Sequence, residues 1–185
     1  MFSRWQKPPP TPPPYESPQT FSQLYERVHL IVFRYIYGLY NGPRQEVEDL
    51  TAETFTRAWK ARRNFHGDEN AAIGWLLKIA RNLVIDTHRR AQVRPKIFDL
   101  PDNLDECLIA IPDAGPEVQA IRREQTRILW KLLHTLPDHQ REMLVLRYML
   151  GWQVQEIGKY LDIAENTVSQ TIRRVLARLR ERWTE

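Results

Sequence analysis

Near the C-terminus, Asn166, Thr167, Ser169, Gln170, Arg173 and Arg174 fall opposite an apolar stripe at helical spacing, with Thr167 and Ser169 on the flanks. Asn and Gln amides can pair with the N6 and N7 edge of adenine, and Arg can grip guanine or a phosphate. Such a face has the chemistry of base readout and not charge alone. A second set, Lys78, Arg81, Asn82, Arg89 and Arg90, lies on a helical stretch beside an outward-facing Ile85. Cations that follow a backbone, next to amide and apolar groups on which bases can pack, suit a single strand of nucleic acid. No comparable set serves catalysis. His134 and His139 are five residues apart and off a common helical face, no glycine loop is placed to cradle phosphates, and no carboxylates gather as at a metal site. Neither enzyme chemistry nor a metal or other cofactor is therefore expected. The only cysteine, Cys107, can form no internal disulfide, and Glu106 and Leu108 give it no catalytic company.

The elements that must carry these side chains are all helical. Residues 7 to 18, KPPPTPPPYESP, hold successive prolines that remove backbone donors and favour polyproline II, so residues 1–20 are expected to be a disordered tail. From Phe21 to Ala91 apolar residues follow a helical period, broken at Asn41-Gly42-Pro43 and at His66-Gly67-Asp68, which gives helices over about 21–40, 45–63 and 71–90. On the second helix, Val47, Leu50, Thr54, Ala58 and Ala61 share one face, and Asp49, Glu53, Thr56, Arg57 and Lys60 share the other. On the third, Leu76, Ile79, Ala80, Leu83 and Thr87 turn inward, while Lys78, Asn82, Ile85 and Arg89 turn outward, with Arg81 at the border. The period then fails between Arg94 and Pro116, where prolines and acids accumulate, and an extended linker is expected over 92–118. Helical spacing returns and runs to Trp183, with breaks at Leu136-Pro137-Asp138, Leu150-Gly151 and Leu161-Asp162, so that four helices fit. No strand signature of alternating β-branched residues occurs.

The last two of those helices, within 151–183, have the format of a helix-turn-helix. Val154, Ile157 and Leu161 on the first, and Val168, Ile172, Val175, Leu176 and Leu179 on the second, form facing apolar stripes, with Gly158 where the two approach most closely. Charge follows the same division of the chain. Lys and Arg against Asp and Glu number 11 and 8 over 21–91, 2 and 6 over 92–118, and 12 and 8 over 119–185. Two basic blocks flanking an acidic connector match a polyanion-binding protein. No run approaches the roughly eighteen apolar residues of a membrane span, and no signal peptide is evident, so a cytoplasmic protein without membrane insertion is expected.

The segments EVEDLTAETFTRAWKARRNF (46–65) and GWLLKIARNLVIDTHRR (74–90), followed by the helix-turn-helix, closely resemble bacterial extracytoplasmic-function (ECF) RNA polymerase sigma factors over residues 21–183. The resemblance implies an all-α protein with a sigma2 domain (21–91), a flexible acidic linker and a sigma4 domain (119–185). It implies a factor without chemistry of its own that binds core RNA polymerase, recognises the -10 and -35 promoter elements and promotes DNA melting. It assigns Asp49, Glu53, Thr56, Arg57 and Lys60 to the β′ coiled coil of polymerase, whose partner contact for the sigma4 domain is the β flap. Capture of the non-template strand, with a base flipped from the stack, falls to Asn82, to Lys78, Arg81, Arg89 and Arg90 on phosphates, and to the loop containing His66, Asp68 and Asn70. Trp75 fits either a stacking platform or a packing position. The C-terminal face from Asn166 to Arg174 reads duplex -35 DNA. The linker is either a thread through polymerase channels or a solvated tether.

The chain departs from the family pattern at Asp162, commonly Gly, at Ala164, near a Ser or Pro, at Asn166, commonly Gly, and at Ser169, commonly Lys. Asp tolerates the left-handed conformation that a turn requires. A missing helix cap at Ala164 is expected to cost about 1 kcal/mol. With no further domain after Trp183, control by a separate anti-sigma factor is expected. The alternative reading of the residues is a stand-alone helix-turn-helix repressor or activator, which needs no polymerase-binding helix and dimerises on a palindrome.

Overall fold

Ser17 and Pro18 start the first helix earlier than its apolar period does. The computed structural model describes residues 14–91 and 116–184. In it, helix α1 spans Pro18–Leu39, and the Ser17 Oγ accepts the Thr20 N–H at 3.1 Å. Proline is suited to this first position, because its missing donor would be unsatisfied there in any case. The expectation of a disordered tail through residue 20 is therefore corrected for residues 14–20. Tyr15 is buried and Ser17 is a cap. Residues 1–13 lie outside the described residues.

Helix α2 (Arg44–Ala61), a 3-10 turn (Arg62–Asn64) and α3 (Glu69–Ala91) follow, and α1, α2 and α3 pack pairwise into one unit. Its core holds Leu24, Val28 and Val32 of α1, Val47 and Ala58 of α2, and Leu76, Leu77 and Ala80 of α3. Burying each of these Leu and Val side chains contributes about 1.5–3 kcal/mol. Phe55 also turns inward, with Phe21 and Tyr25 edge-on to it at 6.4 and 4.8 Å between ring centroids. Thr51 and Thr54 are buried as well. Each hydroxyl donates to the carbonyl one turn back, on Val47 and Leu50, at 2.7 Å, so neither polar group is orphaned.

The second unit begins with α4 (Pro116–His134), which takes in the last residues of the expected linker. The rest of that linker, residues 92–115 with Cys107, lies outside the described residues. Helix α5 (Asp138–Leu144) runs into a π-helical turn (Val145–Met149), then α6 (Val154–Leu161) and α7 (Glu165–Thr184) complete the expected set of four. Ile157 meets the stripe Val168, Ile172, Val175 and Leu179, all buried, and both α5 and α6 pack on α7.

The two units are packed together and not merely tethered. Helix α1 lies against α5 and the π-helical turn, and a Cβ on Gly38 would sit 2.6 Å from Val145 Cγ2, closer than side chains can approach. Tyr37 meets Trp130 edge-on at 4.8 Å. At the centre Glu142, 3% exposed, accepts the Tyr35 hydroxyl at 2.5 Å and Arg81 Nε at 2.9 Å. Tyr160 Oη lies 3.2 Å from Tyr35 Oη and extends the network to α6. Burial, and then the Glu142 carboxylate, hold the Tyr35 pKa well above its ordinary value, and burial pushes Tyr160 up to about 12, so both phenols keep their protons.

Glu142→Gln removes the charge that faces Arg81 while preserving shape. It is expected to raise the radius of gyration measured by small-angle X-ray scattering, with far-UV circular dichroism unchanged. An unaltered radius would show that the apolar contacts alone hold the units together.

Candidate nucleic-acid interfaces

The surface expected to face duplex DNA is built on a tight turn. At the start of α6 the Gln153 N–H donates to the Glu156 carboxylate at 2.6 Å, half of a capping box that fixes the entry angle. At its end Asp162 takes the left-handed conformation with φ 56°, and the Ile163 N–H donates to the Gly158 carbonyl at 2.9 Å. Gly158 is required here, since a Cβ would lie 2.8 Å from the Ile163 carbonyl oxygen and force the turn away. The Ala164 carbonyl accepts the Val168 N–H, which places Ala164 at the N-cap of α7 with no side-chain oxygen to serve the free donors of the first turn. Asn166, Thr167, Gln170, Arg173 and Arg174 are exposed and Ser169 is half-buried. The Gln170 side-chain amide donates to Asn166 Oδ1 at 3.3 Å, which holds the two amides side by side.

The surface expected to face a single strand runs along α3. Lys78, Asn82, Ile85 and Arg89 are exposed on one stripe, with Arg90 at its end. From Lys78 to Arg89 the rise is roughly 16 Å. His66, Asp68 and Asn70 are exposed in and just after the loop that leads into this helix. Asp68 has a local role, since its Oδ1 accepts the Ala71 N–H at 2.8 Å and caps α3. Trp75 stacks on Phe65 at 4.8 Å and 23°, so one of its faces is already covered.

Arg81 stands apart from this stripe, because its guanidinium is held by Glu142. Burial lowers its pKa, but the Glu142 carboxylate outweighs that and leaves the value above the ordinary one. A cleft of about 520 Å³ lies between the units, with Phe65, Asn70, Trp75 and Lys78 on one wall and Trp152, Lys159 and Tyr160 on the other. Helix α6 thus stands across the cleft from the upstream end of the α3 stripe.

On α2, Asp49, Thr56, Arg57 and Lys60 are exposed and Glu53 is half-buried, bonded to Arg57 at 2.7 Å one turn away. This is a polar face of mixed charge. Sequence reasoning missed Tyr35, Glu142 and Tyr160, because the signal that joins them is tertiary. Tyr35 and Glu142 are 107 residues apart, and Arg81 and Glu142 are 61.

Residues 24–94 match the family model described as Sigma-70 region 2, and residues 126–179 match Sigma-70, region 4. The ECF RNA polymerase sigma factor SigX of Bacillus subtilis (strain 168) is 30% identical over 169 residues, covering 88% of this chain and 83% of that protein. Among solved structures, the sigma factor RpoE from Bartonella quintana, in complex with the anti-sigma factor NepR, gives a TM-score of 0.65. The match has 20% identity and covers 88% of this chain and 96% of that one. CnrH in complex with the cytosolic domain of CnrY gives 0.64 at 22% identity, covering 91% and 90%. Both share the fold.

Ala164→Ser supplies the absent cap and is expected to stabilise the protein by about 1 kcal/mol, read as a shift of the urea midpoint at unchanged slope. No shift would mean that another group already serves those donors.

Proposed function

Because the chain belongs to the sigma-70 family as an ECF RNA polymerase sigma factor, an alternative sigma factor that directs RNA polymerase, we propose that it does so through two separate readers of promoter DNA. Sigma factors are not enzymes, and the reading needs no reaction at either surface. The observation that carries it is the pairing of two different polar faces on rigid helices. One is the amide and guanidinium face of α7, the other the exposed stripe of α3 with the stacked Phe65 and Trp75 rings at its head.

On this reading Asn166, Thr167, Ser169, Gln170, Arg173 and Arg174 enter the major groove of the -35 element. The amide pair of Asn166 and Gln170 suits an adenine edge, and the arginines suit guanine or phosphate. Lys78, Arg89 and Arg90 follow the phosphates of the non-template strand at the -10 element, and Asn82 meets a base. His66 and Asn70 border the pocket that Asp68 shapes by capping α3. Unstacking a base costs a few kcal/mol, and a pocket of aromatic walls and hydrogen-bonding groups offsets that cost. The mixed-charge face of α2, Asp49 to Lys60, docks on the β′ coiled coil, and the second unit docks on the β flap. Among the described residues no helix is long and apolar enough to cross a membrane.

Strand capture and the packed arrangement exclude one another. A strand seated against Phe65 and Trp75 would take the space that α6 bounds, and Arg81 would have to exchange Glu142 for a phosphate. Separation of the units is therefore part of the function, and a separate anti-sigma factor that favours the packed arrangement fits as the controlling partner. A structure of similar fold, that of the sigma factor RpoE, is a complex with an anti-sigma factor, NepR.

Run-off transcription with purified core polymerase over a genomic promoter library tests the reading. The wild-type protein should stimulate defined promoters, Glu53→Lys should abolish stimulation through loss of core binding, and Asn82→Ala should reduce open-complex formation by about tenfold. No stimulation at any promoter, together with tight binding of the isolated protein to a duplex palindrome, would favour the stand-alone regulator instead.

A further inference from the structure

The residues that precede α1 reach the loop assigned above to strand capture. Tyr15 is 7% exposed, and its ring stacks on Phe65 at 5.9 Å and 29°. Phe65 in turn stacks on Trp75 at 4.8 Å and 23°, which makes a column of three rings from the N-terminal segment to α3. The backbone is tied at the same place. Arg62 Nε donates to the Glu16 carbonyl at 2.9 Å, and Arg63 Nε lies 3.5 Å from Glu16 Oε1. Because Ser17 caps α1, the start of that helix fixes where Tyr15 stands. Around the same ring the loop turns tightly, and a Cβ on Gly67 would lie 3.0 Å from Phe65 Cζ and 2.9 Å from Ala71 Cβ. Phe65 is thus confined by Tyr15, by Trp75 and by the loop that carries His66, Asp68 and Asn70.

We infer that Tyr15 is a positioning residue for promoter single strands. It presses Phe65 against Trp75 and so fixes the loop from His66 to Asn70 relative to the α3 stripe. The chain end that composition marks as a tail thereby acts on the -10 pocket without touching DNA. The inference rests on the strand-capture reading, and its test separates the two.

Holoenzyme assembled from core polymerase and the full chain is titrated with a fluorescent single-stranded oligonucleotide carrying the -10 sequence selected in the promoter library. Core affinity and binding to a -35 duplex are measured in parallel. Tyr15→Leu keeps an apolar side chain but removes the flat ring, and should weaken oligonucleotide binding by about three- to tenfold, the worth of a ring stack. Core affinity and duplex binding should hold, and Tyr15→Phe, which keeps the ring, should bind the oligonucleotide as the wild type does. Equal losses in all measurements, or a loss with Tyr15→Phe as large as with Tyr15→Leu, would overturn the inference. Asn82→Ala serves as the control. If it weakens oligonucleotide binding and Tyr15→Leu does not, the inference alone fails; if both are silent, the strand-capture reading fails and takes the inference with it.

Discussion

A carboxylate sealed from water is tolerable only while donors surround it. Glu142 meets that condition through Tyr35, buried in α1, and Arg81, at the border of α3, so its two donors belong to the other unit. Much of the arrangement follows from this one group. With Glu142 seated, the π-helical turn comes down on Gly38, where only a glycine leaves room for Val145. Tyr160 is drawn to Tyr35, and α6 comes to face the head of the α3 stripe across a cleft. Such a network locates an interface more than it strengthens one. The ions lose hydration on pairing, so the net gain is small, whereas loss of either partner leaves an uncompensated group. Arg81 is about half exposed and regains water cheaply when the units part. The packed arrangement is thus specific in register and modest in depth.

The helices were legible because their apolar residues repeat at helical spacing and their breaks are turn residues. The loop at His66 to Asp68, the short and long last helices and the break at Asp162 all follow from that pattern. Outward faces were legible for the same reason, and Lys78, Asn82, Ile85 and Arg89 stand where the wheel puts them. Where the pattern failed, a different force decided. Tyr15 sits in a proline-rich stretch with no period, and its burial depends on Phe65, fifty residues on. Thr51 reads as polar, yet it bonds to its own helix and so can face the core. Glu142 reads as a surface acid on a short amphipathic helix, and only the approach of α1 and α3 makes it central.

The two proposed readers make different demands on the fold. A duplex reader must present its donors without rearrangement, and α7 does so by locking Val168, Ile172, Val175 and Leu179 into a core while Asn166 and Gln170 hold each other. A strand reader must also hold what it has unstacked, so it needs a concave, partly apolar site. The cleft beside Phe65 and Trp75 has that character, but Trp75 already gives one face to Phe65. A base taken there once α6 has withdrawn would meet the Phe65 and Trp75 wall, with Asn70 and Lys78 at its edge, and not a free indole. Trp75 is therefore both of the things its position allowed, a packing residue on one side and a wall of the cleft on the other.

As proposed, Arg81 links the two readers energetically. On the proposed reading it faces a phosphate when the strand is captured and Glu142 when the units are packed, and one guanidinium cannot serve both. The apparent affinity for single strands is then the intrinsic affinity reduced by the fraction of molecules in which the units have parted. Any partner that binds one arrangement better than the other shifts that fraction by its differential affinity and nothing else. On the same reading, core polymerase holds the two readers at separate promoter elements and so favours parting. A protein that bridges both units favours packing. The same buried carboxylate that gives the closed form its register therefore also sets how much of the strand-binding energy remains after opening.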